Sequence, residues 1–193
     1  MKNFPVILAV LTALLFTSAS AGEIILKDIQ GKNVEPLSSK DGKPVVLIFI
    51  ATDCPVANGY VPEINRIFTA FSGRGVHLTL VHPEPSTSTE EALTHAGEYG
   101  IKPTIVIDKQ HLLVKATGAT TTPEAAVFDK AGKLAYLGRI NNQYSDYGDR
   151  RATVSEHNLR DALDALLAGN PIKIRKAPAL GCLIEPLSPP QKQ

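Results

Sequence analysis

Six apolar residues, Val45-Val46-Leu47-Ile48-Phe49-Ile50, run into the polar turn Ala51-Thr52-Asp53 and hand over to Cys54-Pro55. Ile64, Ile67, Phe68 and Phe71 then recur at i, i+3, i+4 and i+7, one stripe of an amphipathic helix. Gly73, with Gly75 close behind, stops that helix. The stretch is a buried strand turning into a helix, with one thiol at the corner. The first N–H groups of a helix lack intrahelical partners and point back at the residues that precede it, here Cys54 and Pro55. Those donors, with the positive end of the helix dipole, favour a thiolate over a thiol. Asp53 opposes this if its carboxylate turns toward the sulfur, and the sequence leaves that direction open.

Met1-Lys2-Asn3, the mostly apolar Phe4 to Phe16 and the small residues Ala19-Ser20-Ala21 have the layout of a cleavable signal peptide over residues 1–21. The apolar stretch is shorter than the ~20 residues that span a bilayer, so no membrane span is expected after cleavage. Removal of 21 residues from 193 leaves 172. That length supports one domain with its own core. Without Lys2 the mature balance is 19 basic against 19 acidic residues, which gives no electrostatic basis for binding nucleic acid. Both cysteines, Cys54 and Cys182, lie in the exported portion, periplasmic or extracellular, where a disulfide can persist.

Ile24 to Val34 predicts a strand pair around Gly31, and Val76 to Val81 a second core strand. Thr89 to Ala96 predicts a helix, with Thr89 as the capping residue and two acids in the first turn. Thr104 to Asp108 predicts a short strand, Leu112 to Thr117 a helical turn, and Glu124 to Asp129 with Leu134 to Leu137 a hairpin. Thr153-Val154-Ser155-Glu156 has the form of a capping box ahead of the apolar face Leu159, Ala162, Leu163, Leu166 and Leu167. Strands separated by helices and closing on a hairpin imply an α/β chain with a mixed sheet. The expected organisation is one domain over residues 22–170 and an irregular tail over 171–193, which carries five prolines and Cys182.

Three features together resemble the thioredoxin-like superfamily, in particular its exported redoxin and peroxiredoxin-related (AhpC/TSA-like) branch. Cys54 follows a buried strand and opens a helix, Pro62 falls eight residues later, and Thr122-Pro123 precedes the strand Ala125-Ala126-Val127-Phe128. The resemblance implies a three-layer fold, a central mixed sheet flanked by helices. It also implies that Pro123 is cis, lies beside Cys54 and leaves the preceding backbone free to pair with a bound thiol or peptide. Two departures limit it. Ala57 stands where thioredoxins carry a second cysteine, so no Cys-x-x-Cys disulfide can form, and Ala51 stands where peroxiredoxins place a threonine or serine, with Thr52 one residue late.

Cys182 is the remaining partner for Cys54. The 13 residues from Gly169 to Cys182 reach roughly 43 Å when extended. A domain of this size has a radius of gyration of roughly 16 Å, so the tail can reach the elbow. The branch also looks similar at Gly181-Cys182-Leu183-Ile184. Three states stay open: a redox pair, a permanent staple worth roughly 5 kcal/mol in the chain-entropy model, or no pairing.

Arg139, in a Gly-Arg-Ile segment similar to one in the same group, is expected near the sulfur or anchoring the following loop. Glu124 is either a proton relay or a solvated carboxylate, and Asn58 is a candidate for bonding the helix start. The candidate catalytic set is Cys54, Cys182, Pro123, Arg139 and Thr52, with no cofactor and no metal assigned. The function expected is thiol–disulfide exchange with Cys54 as nucleophile and Cys182 resolving, on a protein or small-molecule substrate and with an unspecified electron donor. The alternatives are a thiol peroxidase acting on hydroperoxide, and a non-catalytic module holding a protein or copper. For copper, thiolate and imidazole from His77, His82, His95, His111 or His157 would suit Cu(I); His82, read as a surface-loop residue, is the best histidine ligand by position, and no short ligand spacing supports the site.

Overall fold

The computed structural model describes residues 24–39 and 42–187. The expected leader at 1–21 lies outside the described residues. Among the described residues no helix is long and apolar enough to cross a membrane.

The expected strand forms as β3 (Val45–Phe49), each residue at most 1% exposed. It runs parallel to β4 (His77–His82), which is in turn parallel to β5 (Thr104–Ile107). On its other side β3 pairs antiparallel with β7 (Glu124–Phe128), and β7 pairs with β8 (Leu134–Gly138), the expected hairpin. Because side chains alternate across a strand, β3 feeds two cores. Val46 and Ile48 pack with Ile64 and Ile67 of α1 (Pro55–Ser72) and with Leu159 and Leu163 of α4 (Asn158–Leu167). Val45, Leu47 and Phe49 pack with Leu113 of α3 (Leu112–Thr117), and Leu26 and Val34 close that side from the hairpin β1 (Leu26–Lys27) and β2 (Asn33–Val34). Helix, sheet and helix make the three expected layers. Glu63 ties α1 to α4, accepting from Arg160 Nε at 2.7 Å as well as from Arg66 Nε at 2.7 Å.

Three local expectations need correction. In α2 (Thr89–Tyr99) the cap is Ser88, whose hydroxyl takes the Glu91 N–H while the Glu91 carboxylate returns to the Ser88 N–H. The segment Thr153 to Glu156 does not cap α4, which starts at Asn158. Asn142 Oδ1 accepts the N–H groups of Ser155 and Glu156, and the Glu156 carboxylate is held by Arg139 Nη2 at 2.6 Å. These bonds hold the segment against the loop after β8.

The tail is not irregular throughout. β11 (Lys176–Ala177) runs parallel to β8 and completes a six-stranded sheet of order β11-β8-β7-β3-β4-β5. Its seat depends on Gly138, where any Cβ would collide with the carbonyl oxygen of Ala177. β12 (Cys182–Leu183) pairs antiparallel with β6 (Thr121–Thr122), immediately before Pro123.

Candidate active site

Cys54 is the N-cap of α1 in extended backbone conformation, and Pro55 opens the helix, where its missing N–H costs nothing. The sulfur accepts the Ala57 N–H at 3.5 Å, so one of the free donors of the first turn does meet it. The thiol also donates to the carbonyl oxygen of Thr122 at 3.1 Å. The Thr122–Pro123 peptide bond is cis. Pro62 lies inside α1.

The tail brings Cys182 to the same place. Cys182 is the register partner of Thr122 and Leu183 that of Thr121, and Ile184 N–H donates to the Thr120 carbonyl at 2.9 Å. Gly181 permits this seating: a Cβ there would strike the carbonyl oxygen of Thr122 and crowd Pro123. Both cysteines are free thiols. Burial raises the Cys182 pKa to about 11, with further contributions from its hydrogen-bonding contact with the Cys54 side chain and from the negative charge of Asp53. The Tyr147 hydroxyl lies 3.6 Å from the Cys182 sulfur and works in the opposite direction. Tyr147 sits between β9 (Tyr144–Asp146) and β10 (Asp149–Arg150), and no feature of its local sequence connects it to a thiol.

A nucleophile needs a reachable sulfur, and the structure does not give Cys54 one. Cys54 is 0% exposed and belongs to the core cluster of α1, against which Cys182 packs. Cys182, in contrast, is partly exposed. The sulfur at the helix entrance is buried with the tail docked beside it, whereas Cys182 keeps part of its surface in solvent.

Thr52 contributes its backbone, whose carbonyl accepts Asn58 Nδ2 at 2.9 Å. Asn58 Oδ1 lies 2.8 Å from His95 Nε2, so Asn58 fixes the turn as expected and ties it to α2. Asp53 is exposed. His82 is not a surface-loop residue: it ends β4 at 0% exposure, edge-on to His95 with ring centroids 5.4 Å apart. β4 extends one residue past Val81 and carries the ring inside. Among the described residues neither His82 nitrogen has a hydrogen-bond partner, and burial lowers its pKa to about 4, helped by the nearby His95. Glu84 moves the other way, to about 7, because burial and the Asp53 charge disfavour its ionised form.

Arg139 takes the loop-anchoring alternative, donating to Asn158 Oδ1 at 2.9 Å and to Glu156 at 2.6 Å. With Pro123, Tyr60, Tyr144, Arg151 and Leu180 it lines a cavity of about 220 Å³ next to the tail. Glu124 is neither solvated nor aimed at a sulfur: it is buried and accepts the Thr120 N–H at 2.8 Å, bracing the loop before β6. Among the described residues no three His, Cys, Asp or Glu side chains converge as metal ligands, and His111 is bonded instead to the Pro83 carbonyl at 2.8 Å.

A central buried strand, a helix entered through a cysteine, and a cis proline at the start of the next antiparallel strand define a thioredoxin-like fold. Hypothetical protein SMc02350 from Sinorhizobium meliloti superposes with a TM-score of 0.74 at 24% identity over 85% of this chain and 91% of its own. An uncharacterized conserved protein from Geobacillus kaustophilus gives 0.71 at 26% identity, over 89% and 92%. The profile of the AhpC/TSA family matches residues 18–137, and the chain belongs to that family. It is also 29% identical over 117 residues to the thiol-disulfide oxidoreductase ResA of Geobacillus thermodenitrificans, a match that takes in 60% of this chain and 65% of that relative, just under two thirds of its length.

Proposed function

We propose that the protein is an exported thiol–disulfide oxidoreductase whose redox couple is Cys54 and Cys182. The observation that carries this is the convergence of two free thiols on Thr122 at the helix entrance, Cys54 through the Thr122 carbonyl and Cys182 through strand pairing, with Cys182 packed against the cluster that holds Cys54. ResA, similar over 60% of this chain, is a thiol-disulfide oxidoreductase. With Ala57 in place of a nearer cysteine, the tail supplies the second sulfur that a two-electron exchange needs.

In the dithiol state the Cys54 proton rests on the Thr122 carbonyl. Oxidation replaces that S–H with an S–S bond to Cys182, two protons and two electrons leaving to a substrate disulfide, which departs as two thiols. Tyr147 and Asp53 act on the charge at Cys182 with opposite signs. Pro123 and Arg139 shape the adjoining cavity, and Thr52 holds the turn through Asn58. Ala51 and the buried Cys54 sulfur weigh against direct reaction with hydroperoxide.

The test is reduction of a small disulfide, 2-hydroxyethyl disulfide, by the reduced full chain. One disulfide per molecule is expected to be consumed, with loss of turnover in both Cys54→Ser and Cys182→Ser. Unchanged turnover in either variant would remove the couple. The leader reading is tested by sequencing the amino terminus of the secreted chain, expected at Gly22.

A further inference from the structure

The roles of the two sulfurs follow from which of them solvent can reach. Cys54 is 0% exposed while Cys182 is partly exposed, and β12 holds this difference in place through its pairing with Thr121 and Thr122. Exchange requires an incoming sulfur to approach the S–S bond along its axis from outside, so access decides which sulfur is attacked. From the partial exposure of Cys182 and the donor that waits for Cys54, we infer that an external thiolate reduces the oxidised couple by attacking Cys182, with Cys54 as the leaving sulfur. This order is the reverse of the one expected from the sequence, where Cys54 faces the partner. It rests on the Cys54–Cys182 couple proposed above.

The step balances as follows. A thiolate of a reductant bonds to Cys182 Sγ as the Cys54–Cys182 bond breaks, and the electron pair of that bond stays on Cys54. The departing charge meets the Ala57 N–H at the helix entrance, then takes a proton and returns to its bond with the Thr122 carbonyl. A second reductant thiolate attacks the sulfur now attached to Cys182 and releases Cys182, which takes up a proton. Two thiols have become one disulfide, and the protein has gained two electrons and two protons. Attack on Cys54 instead would require passage through the core cluster and departure from Cys182. Gly181 is a positioning residue for this order, because only a glycine lets β12 lie against the Thr122 carbonyl.

The experiment mixes the oxidised full chain with glutathione, quenches in acid within the first turnover and maps the glutathione adduct by mass spectrometry. The adduct is expected on Cys182 in at least tenfold excess over Cys54. A Gly181→Val chain, checked for retained fold by circular dichroism, unseats β12, and its reduced form is expected to show Cys54 alkylated by iodoacetamide at least tenfold faster than wild type. Adduct mainly on Cys54 of the oxidised wild type, or equal Cys54 alkylation in the two chains, would overturn the assigned order while leaving the couple intact. Absence of any Cys54–Cys182 disulfide in the oxidised chain would instead overturn the couple itself.

Discussion

Thr122 and Cys182 face each other as register partners across the β6–β12 pair, and the carbonyl of Thr122 also receives the Cys54 thiol at 3.1 Å. One residue before a cis proline thus organises both sulfurs. The carbonyl anchors the Cys54 thiol, and the strand pairing holds the second sulfur within reach.

Asn58 secures the cysteine turn from behind, through the Thr52 carbonyl and His95. Asn58→Ala removes both bonds and leaves His95 without a partner for Nε2. The expected cost is about 1–3 kcal/mol of stability, measured as a lower urea midpoint, together with faster alkylation of Cys54 as the turn loosens. An unchanged midpoint would show that the turn is held by other contacts.

Tyr147 is the hydroxyl that favours the Cys182 thiolate. Tyr147→Phe is therefore expected to raise the Cys182 pKa further and to slow its alkylation near pH 8 by about threefold, as befits the loss of one exposed hydrogen bond. Faster alkylation would mean that the ring acts chiefly as a cover.

His82 and Glu84 give opposite dependences of stability on pH. His82 has a folded pKa of about 4 against an ordinary 6.5, so the unfolded chain binds the extra proton and stability is lost as pH falls between those values. Glu84 has a folded pKa of about 7 against 4.5, so the folded chain binds the extra proton and stability is lost as pH rises between those values. The two effects nearly cancel in the wild type between pH 4.5 and 6.5. His95, whose pKa is also lowered by burial, adds to the His82 side. Urea midpoints at pH 5 and pH 7 are expected to show His82→Leu gaining stability toward pH 5 and Glu84→Gln losing it. Parallel profiles for all three chains would contradict the assignment.

The architecture was legible where a periodic pattern persists over many residues. The apolar run of β3 and the helical stripe of α1 declare themselves because burial on a strand and on one helix face leave different spacings. The cis state at Pro123 came from resemblance alone, since no local pattern distinguishes it. What escaped reading depends on partners remote in sequence. β11 and β12 are two residues long and exist because Gly138 and Gly181 let another backbone approach, a condition without periodicity. The capping box ahead of α4 failed because Asn142 and Arg139 compete successfully for its donors and carboxylate. His82 was hidden by ending the strand at Val81, although the apolar alternation of β4 carries the ring inward.

The most direct measurement is a redox titration of the full chain in glutathione buffers, with peptide mapping at each poise. The account predicts a single reversible two-electron transition linking Cys54 to Cys182, with a midpoint above about −300 mV, the boundary below which secreted structural disulfides typically fall. A midpoint well below that value would mark the bond as a permanent staple, and a mapped disulfide to any sulfur other than the partner cysteine would contradict the couple outright.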